Sequence, residues 1–453
     1  MADITLQEYL STSQRGILNK VFGPEFMMKS GYLQVSDIFT ETFGRKVWDA
    51  MNNRTVTYNA LKKVGWGPTY GWRLRTDRGS GNQKAISETG TLPTIDTSNY
   101  VTVGSPPKFS ATTFGVSIKA QFMGGLEGGI GDALSVEQEA KMRDHIKMVN
   151  QFLMQGNYAY INDTNNTVFH ILPVEAAGYF NIGDTVGACD ANGGPAYIEA
   201  TSGGAVVTVT GVDTTTGYVT CDGALNFTPA QGDTLYVLNR VTAPTSVFDV
   251  PMYDAVPAAG GHAACNIFNL TTRTNSAAYQ YARGALTSTN AGVGRDLTIK
   301  TVDDAMDAVR ARGGLMGLGL LSTGYSQYSA FDRLLQVHQR YQGYQTFQFG
   351  VGDEKTYPGT QVGMELATYR GIPILPDPDM PKGISSTGTA LGHDILLLDL
   401  DHLELAVAMQ TQYFENRNYF VANALVIQGL LFTALELRAR RLDVHARITD
   451  LNA

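Results

Sequence analysis

An α+β fold is what this sequence predicts, and three stretches predict it: alternating apolar runs within residues 85–123, an amphipathic helix over 132–156, and a proline-laden strand at 366–381. In the first, AISETGTLPTIDTSNYVTVGSPPKFSATTFGVSIKAQFM, Val101 and Val103 alternate, as do Phe114, Val116 and Ile118. That is the period of strands with one buried face. The preceding segment, YGWRLRTDRGSGNQK (70–84), is basic and glycine-punctuated, with a flexible tip at Gly79–Gly81. Two antiparallel arms joined by such a tip form a hairpin that cannot bury itself. Because an isolated ribbon is marginal in water, this one is expected to lean on another subunit.

The second stretch is DALSVEQEAKMRDHIKMVNQFLMQG. Ser135 and Gln138 have capping-box spacing, Met142, Ile146, Val149 and Leu153 form one stripe, and Gly156 stands where a left-handed cap belongs. Glu137 with Lys141 and Glu139 with Arg143 are i, i+4 pairs on the wet side. A helix of roughly 20 residues is about 30 Å long, enough to back a whole subunit.

From Leu297 helix and strand alternate. Thr301 is expected to cap VDDAMDAVRAR, with Asp303 and Asp304 at its positive end, Arg310 and Arg312 at its negative end and Gly313 closing it. LGLLSTG (318–324) then reads as a strand, SQYSAFDRLLQVHQRY (326–341) as a helix and ILLLDL (395–400) as a buried strand. Between the last two lies LATYRGIPILPDPDMP (366–381), where Ile372, Ile374 and Leu375 make an apolar run. Pro373, Pro376, Pro378 and Pro381 each remove a ladder donor and fix φ, so this strand ends in a stiff corner at a sheet edge.

Taken in order, the hairpin with SETGTLP, the long helix and the strand with GIPILPDPDMP resemble the major capsid proteins of tailed double-stranded DNA viruses with the Hong Kong 97-like fold. GLLFTALELRARRLDVHARITDL (429–451) is similar to that family's closing segment, largely strand there, although ALELRARRLDVHARI also fits a helical period. The resemblance covers about 60–453 apart from the middle, and order and spacing carry it. It implies an N-terminal arm (1–57), an extended hairpin loop (58–120), a peripheral domain with a spine helix (121–165 and 401–453), a connection within that domain (246–296) and an axial domain (297–400). Between them falls a β-rich acidic insertion (166–245).

The resemblance also implies a function: a structural protein that self-assembles, as pentamers and hexamers, into an icosahedral head around viral double-stranded DNA. The DNA would be contacted non-specifically. Further partners would be a portal and, where needed, a separate scaffolding or decoration protein, since recognisable family sequence begins too early to leave room for a large fused scaffold. The place would be the virion, assembled in host cytoplasm. An encapsulin-like compartment shares this fold and is the alternative, and a soluble enzyme is a third class.

Composition is compatible. A length of 453 residues suggests about three domains, and 43% hydrophobic content is ample for a core. Charged residues are only 17%, which suits a surface covered by partners. No apolar run reaches a membrane-spanning length, and MADITLQEYLSTSQRG lacks a signal-peptide core. Cys189, Cys221 and Cys265 are odd in number and without CxxC, so reduced thiols are expected.

Charge is unevenly placed. Between Ala159 and His262 stand ten acids, among them Asp190, Asp213 and Asp222, against one base, Arg240, a net of −9 within a chain of −8. With VVTVTGV (206–212), DTTTG (213–217), YVTC (218–221) and DTLYVL (233–238), this region reads as a small antiparallel meander. Such a surface repels phosphate, so it is expected to face outward and away from DNA, with an ordinary solvated loop domain as the plain reading. From Arg54 to Lys84 seven bases, including Arg73, Arg75, Arg78 and Lys84, oppose one acid, Asp77. Interleaved with Trp66, Tyr70 and Trp72 they read as a nucleic-acid groove, as an inter-subunit contact on acidic partner surface, or as a solvated face.

Catalytic patterns are weak. RGGLMGLGLLSTG (312–324) precedes a strand instead of following one and lacks the third glycine of a phosphate loop. TGYSQY around Ser326 lacks the second glycine of a nucleophile elbow. Asp377 and Asp379 suit backbone capping better than a metal, and the seven histidines show no HExxH. No catalytic, cofactor or metal residue is assigned.

Overall fold

The structure, a computed structural model, describes residues 54–67, 71–77, 85–124, 132–156, 158–189, 207–224, 229, 231, 233–251, 267–270, 273, 277–288, 290, 293–336, 368–384, 390–417 and 425–452. Residues 1–53 of the expected arm, the tip with Arg78 and Lys84, Asp190 and Cys265 lie outside them. Helix and sheet are mixed in two compact units, one drawn from 110–148 and 409–433, the other from 54–109, 149–408 and 434–453.

The larger unit opens with helix α1 (Val56–Ala60) and strand β1 (Lys62–Gly65). Next comes a ribbon in which β2 (Gly71–Arg75) pairs antiparallel with β3 (Tyr100–Gly104), Trp72 opposite Val103 and Arg73 opposite Thr102. Period 2 sorts its faces. Trp72, Leu74, Val101 and Val103 pack on their own subunit's core, so the foot of the hairpin is not unsupported as its sequence suggested. The Trp72 ring meets Phe268 edge-on at 5.3 Å, and the Arg438 guanidinium lies 5.8 Å from the same ring.

Strand β4 (Lys108–Ser117) does not extend the hairpin. Ile118, expected as the last inward residue of that strand, opens helix α2 (Ile118–Gly124), because Ser117 Oγ accepts from the Ala120 amide at 3.0 Å. Helix α3 (Ala133–Met154) follows. Its cap is Asp132, whose Oδ1 accepts from the Leu134 amide at 3.1 Å, so Ser135 already lies inside the first turn. Nor is Gly156 left-handed. A Cβ there would stand 2.8 Å from the Tyr179 ring, which is the reason for glycine.

Six strands then close a barrel: β5 (Tyr158–Ile161), β6 (Val168–Leu172), β7 (Thr185–Cys189), β8 (Val207–Asp213), β9 (Tyr218–Cys221) and β10 (Thr234–Asn239). The order β10–β5–β6–β9–β8–β7 replaces the expected meander, because β6 pairs with β9 and β10 with both β5 and β7. Strands β7 and β10 are partners, Val186 opposite Val237. Phe169, Ile171, Val186, Val209, Val219 and Leu235 fill the interior, and closure leaves no open edge. The barrel begins at Tyr158, ahead of the boundary at 166.

The remaining elements are β11 (Leu286–Ser288), α4 (Ile299–Ala311), β12 (Gly319–Thr323), α5 (Tyr325–Gln336), β13 (Thr368–Tyr369), β14 (Ile372–Pro376), β15 (Lys382–Ile384), β16 (Ala390–His393), β17 (Ile395–Asp399), β18 (Leu403–Asn416), β19 (Val426–Ala439) and β20 (Ala446–Ile448). A six-stranded sheet of order β11–β20–β17–β12–β14–β13 carries α4 and α5. Thr298, not Thr301, caps α4, accepting from the Thr301 amide at 3.2 Å. Asp303 instead accepts from Tyr369 Oη and Arg370, and Gly313 closes the helix at φ +77°. The closing segment is strand, since alternate side chains of β19 are buried over much of its length. In the smaller unit Phe114, Val116, Leu134 and Leu431 form the core. There the fully buried His145 joins α3 to β4 and β19, hydrogen-bonding Thr112 Oγ1 at 2.8 Å and Thr433 Oγ1 at 2.7 Å.

Candidate assembly surfaces

Beyond the β2–β3 ribbon, residues 85–99 have almost no regular structure and are exposed nearly throughout. Leu92 is 83% and Ile95 99% exposed, with Ile86 and Tyr100 also open. A lone exposed leucine means nothing, but four large apolar side chains open to water within fifteen residues of one arm is a concentration that water disfavours. Arg73 and Arg75 stand on the exposed face of β2, Arg75 opposite Tyr100. Two of the four predicted contact bases are thus on the ribbon's open face. Sequence reasoning missed Leu92 and Ile95, although TLPTID carries both without strand alternation.

This arm springs from a body held by buried polar groups. Asp377, fully buried in the proline corner, accepts at Oδ2 from the Thr57 amide (3.0 Å) and hydroxyl (2.6 Å), while its Oδ1 accepts from the Asp379 amide (2.9 Å). At the foot of the ribbon Glu436 accepts from the Thr245 amide at 2.7 Å and from Ser105 Oγ at 3.1 Å. Burial pushes the Glu436 carboxyl up to about 7. Arg447, 1% exposed, pairs with Asp394 at 2.7 Å and lies 4.7 Å from the Phe248 ring centre. Burial raises the Asp394 carboxyl to about 6 even against the pull of that guanidinium.

The acidic region resolves into buried and exposed groups. Asp184, Asp233 and Asp249 are buried, and Arg240 lies 3.5 Å from Asp184 and 3.2 Å from Asp249. The surface is therefore less negative than the residue count suggests. Asp213 and Asp222 are exposed, but each serves the barrel. Asp213 accepts from Thr216 Oγ1 and the Thr215 amide in the β8–β9 turn, which holds its carboxyl below the usual range. Asp222 accepts from the Thr208 amide at 2.8 Å.

Ser326 Oγ lies 2.6 Å from His393 Nδ1 and also accepts from the His393 amide at 3.1 Å. Burial, with Lys382 nearby, holds that imidazole down to about 4, and the contact joins α5 to β16. Cys221 is buried, and burial raises its thiol. Among the described residues no group of His, Cys, Asp and Glu has metal-site geometry, and no helix is long and apolar enough to cross a membrane.

The body is fixed by buried hydrogen bonds and ion pairs while the loop beyond its ribbon keeps large apolar side chains in water, an arrangement suited to the class of shell-forming structural proteins. The sequence profile of the SU10 major capsid protein matches residues 28–452, and the chain belongs to that family. It is a structural subunit of the phage capsid and resides in the virion. Its fold is that of a subunit in the cyanophage A-1(L) capsid, at TM-score 0.52 and 12% identity over 92% of this chain and 98% of that one. A Mycobacterium phage Patience chain (TM-score 0.42, 9% identity, 94% of each chain) and the SrpI encapsulin of Synechococcus elongatus (TM-score 0.40, 10% identity, 90% of this chain and 92% of that one) are more distant. No curated protein matches the chain.

Proposed function

We propose that this chain builds the icosahedral head around viral double-stranded DNA, as pentamers and hexamers of a Hong Kong 97-like subunit, and that its role is geometric rather than catalytic. Residues 297–400 would gather at the capsomer axes. Residues 121–165 and 401–453 would form the periphery around the spine helix, with 246–296 as a connection. The acidic insertion would stand outward, Asp190, Asp213 and Asp222 away from packaged phosphate. Portal and any scaffolding or decoration protein would be separate partners.

One observation carries this reading: the hairpin loop within 58–120 presents Leu92 and Ile95 almost wholly to water while its foot is packed and hydrogen-bonded. Apolar side chains held out on a fixed stem suit a neighbouring subunit, and Arg73, Arg75, Arg78 and Lys84 would add charge complementarity to that contact. The test is Leu92→Asp with Ile95→Asp in the full chain. The double variant is expected to keep the circular-dichroism spectrum and melting temperature of the parent and to sediment without shells. Shells of normal size and yield would refute the reading.

A further inference from the structure

A cavity of about 20 Å³ lies between the barrel and the six-stranded sheet. Its wall includes Tyr158 and Tyr160 of β5, Pro173 after β6, Tyr179 from the segment between β6 and β7, Asp394 just before β17, and Arg447 of β20. Other polar groups on this wall have protein partners. Arg447 donates to Asp394 Oδ2 from Nε at 3.1 Å and from Nη2 at 2.7 Å, and its guanidinium lies 5.3 Å from the Tyr158 ring centre. The Tyr179 hydroxyl is hydrogen-bonded to the Lys382 backbone. Two atoms are different: Tyr160 Oη and Asp394 Oδ1 meet no donor or acceptor among the described residues. Tyr160 is 3% and Asp394 2% exposed, so neither is served by bulk solvent.

A buried oxygen without a partner forfeits its hydration, and native interiors seldom leave one so. The two atoms belong together, because Asp394 is near enough for its charge to act on the Tyr160 hydroxyl. A tyrosine hydroxyl donates and accepts, a carboxylate oxygen accepts, and yet no direct bond joins them. What suits the space between is a small neutral group that both donates and accepts. A cation there would stand beside Arg447 and an anion beside Asp394, each repelled at close range. A cavity needs about 10–15 Å³ to take one water, and that water needs two to four polar partners. This cavity meets the first need, and the two oxygens meet the second.

We propose that this cavity is a binding site for one ordered water, which accepts from Tyr160 Oη and donates to Asp394 Oδ1 and so ties the first strand of the barrel to the sheet beside Arg447. The site lies inside one subunit and is independent of how subunits assemble.

Chemical denaturation of the full chain, parent against Tyr160→Phe, tests the site. With the water in place the lost hydroxyl takes a hydrogen bond with it, and the ratio of folded to unfolded protein is expected to fall about threefold or more. A hydroxyl that had no partner would be a burden in the core, so a smaller fall, no change or a rise overturns the proposal. Should the variant fail to fold, a structure of the parent at a resolution that shows buried waters decides. A density peak about 2.6–3.2 Å from both Tyr160 Oη and Asp394 Oδ1 supports the site. No peak there, or a direct hydrogen bond between the two side chains, refutes it.

Discussion

The proline corner and the arm treat their polar and apolar groups in opposite ways. In the corner, Asp377 is fully buried, its carboxylate accepts from Thr57 and Asp379, and its own amide donates to the Thr323 carbonyl at 2.8 Å. Donors from distant parts of the chain converge on one carboxylate, so the corner has one geometry. In the arm the Gly90 amide donates to the Ser87 carbonyl at 2.9 Å and the Thr97 amide to Asp96 at 2.8 Å, both local contacts, and the large apolar side chains face water. Ordering an exposed stretch of this kind costs conformational entropy. One chain thus combines a region whose angles are fixed by converging hydrogen bonds with a region that leaves large apolar side chains in water.

The sharpest way to break this contrast is to damage the body. Arg447→Met leaves the buried Asp394 without its salt-bridge partner and is expected to cost about 3–5 kcal/mol in chemical denaturation. Asp377→Ala comes next. It orphans the Thr57 amide at 2% exposure and leaves its hydroxyl only the Met154 sulfur, with an expected cost of about 1–3 kcal/mol and earlier proteolysis near residue 57. A loss below about 0.5 kcal/mol in either variant would show the body to be less firmly held than its geometry suggests.

Stability should also depend on pH. Asp394 is raised from 3.8 to about 6 and Glu436 from 4.5 to about 7, so between the unfolded and folded values the native state holds protons that the unfolded chain has released. Their contribution is therefore complete below about pH 4 and lost as pH climbs from 4 toward 7. Thermal melts of the subunit in that window, with Glu436→Gln as control, should show part of the decline removed in the variant.

Much of this was legible in local pattern. The 132–156 stripe places α3, and the apolar run with its prolines places β14 and the corner, though not at the sheet edge expected, because β14 lies between β12 and β13. What local pattern could not give is pairing across the chain. β4 looked like a hairpin arm because nothing near it in sequence names β19 as its partner. The barrel looked like a meander because the β6–β9 pair skips two strands. Caps were misplaced by a few residues where several polar side chains compete, as Asp132 does with Ser135. The acidic count overstated the surface because burial takes Asp184, Asp233 and Asp249 out of it, and no periodicity announces a buried aspartate.

The smallest expected effect belongs to the ribbon's bases. Arg73 and Arg75 lie on the open face of β2, opposite Thr102 and Tyr100, so Arg73→Ser with Arg75→Ser should change subunit stability by less than about 0.5 kcal/mol. If these bases meet acidic surface on a neighbour, their loss removes long-range attraction, which acts on encounter rate more than on final affinity. Light scattering at low salt should then show assembly slowed several-fold, and the gap between parent and variant should close as the screening length falls from about 10 Å at 0.1 M salt to about 3 Å at 1 M. A gap that persists at high salt would assign the two arginines a packing role, and the absence of a gap at low salt would return them to a solvated face and leave Leu92 and Ile95 to hold the arm to its neighbour alone.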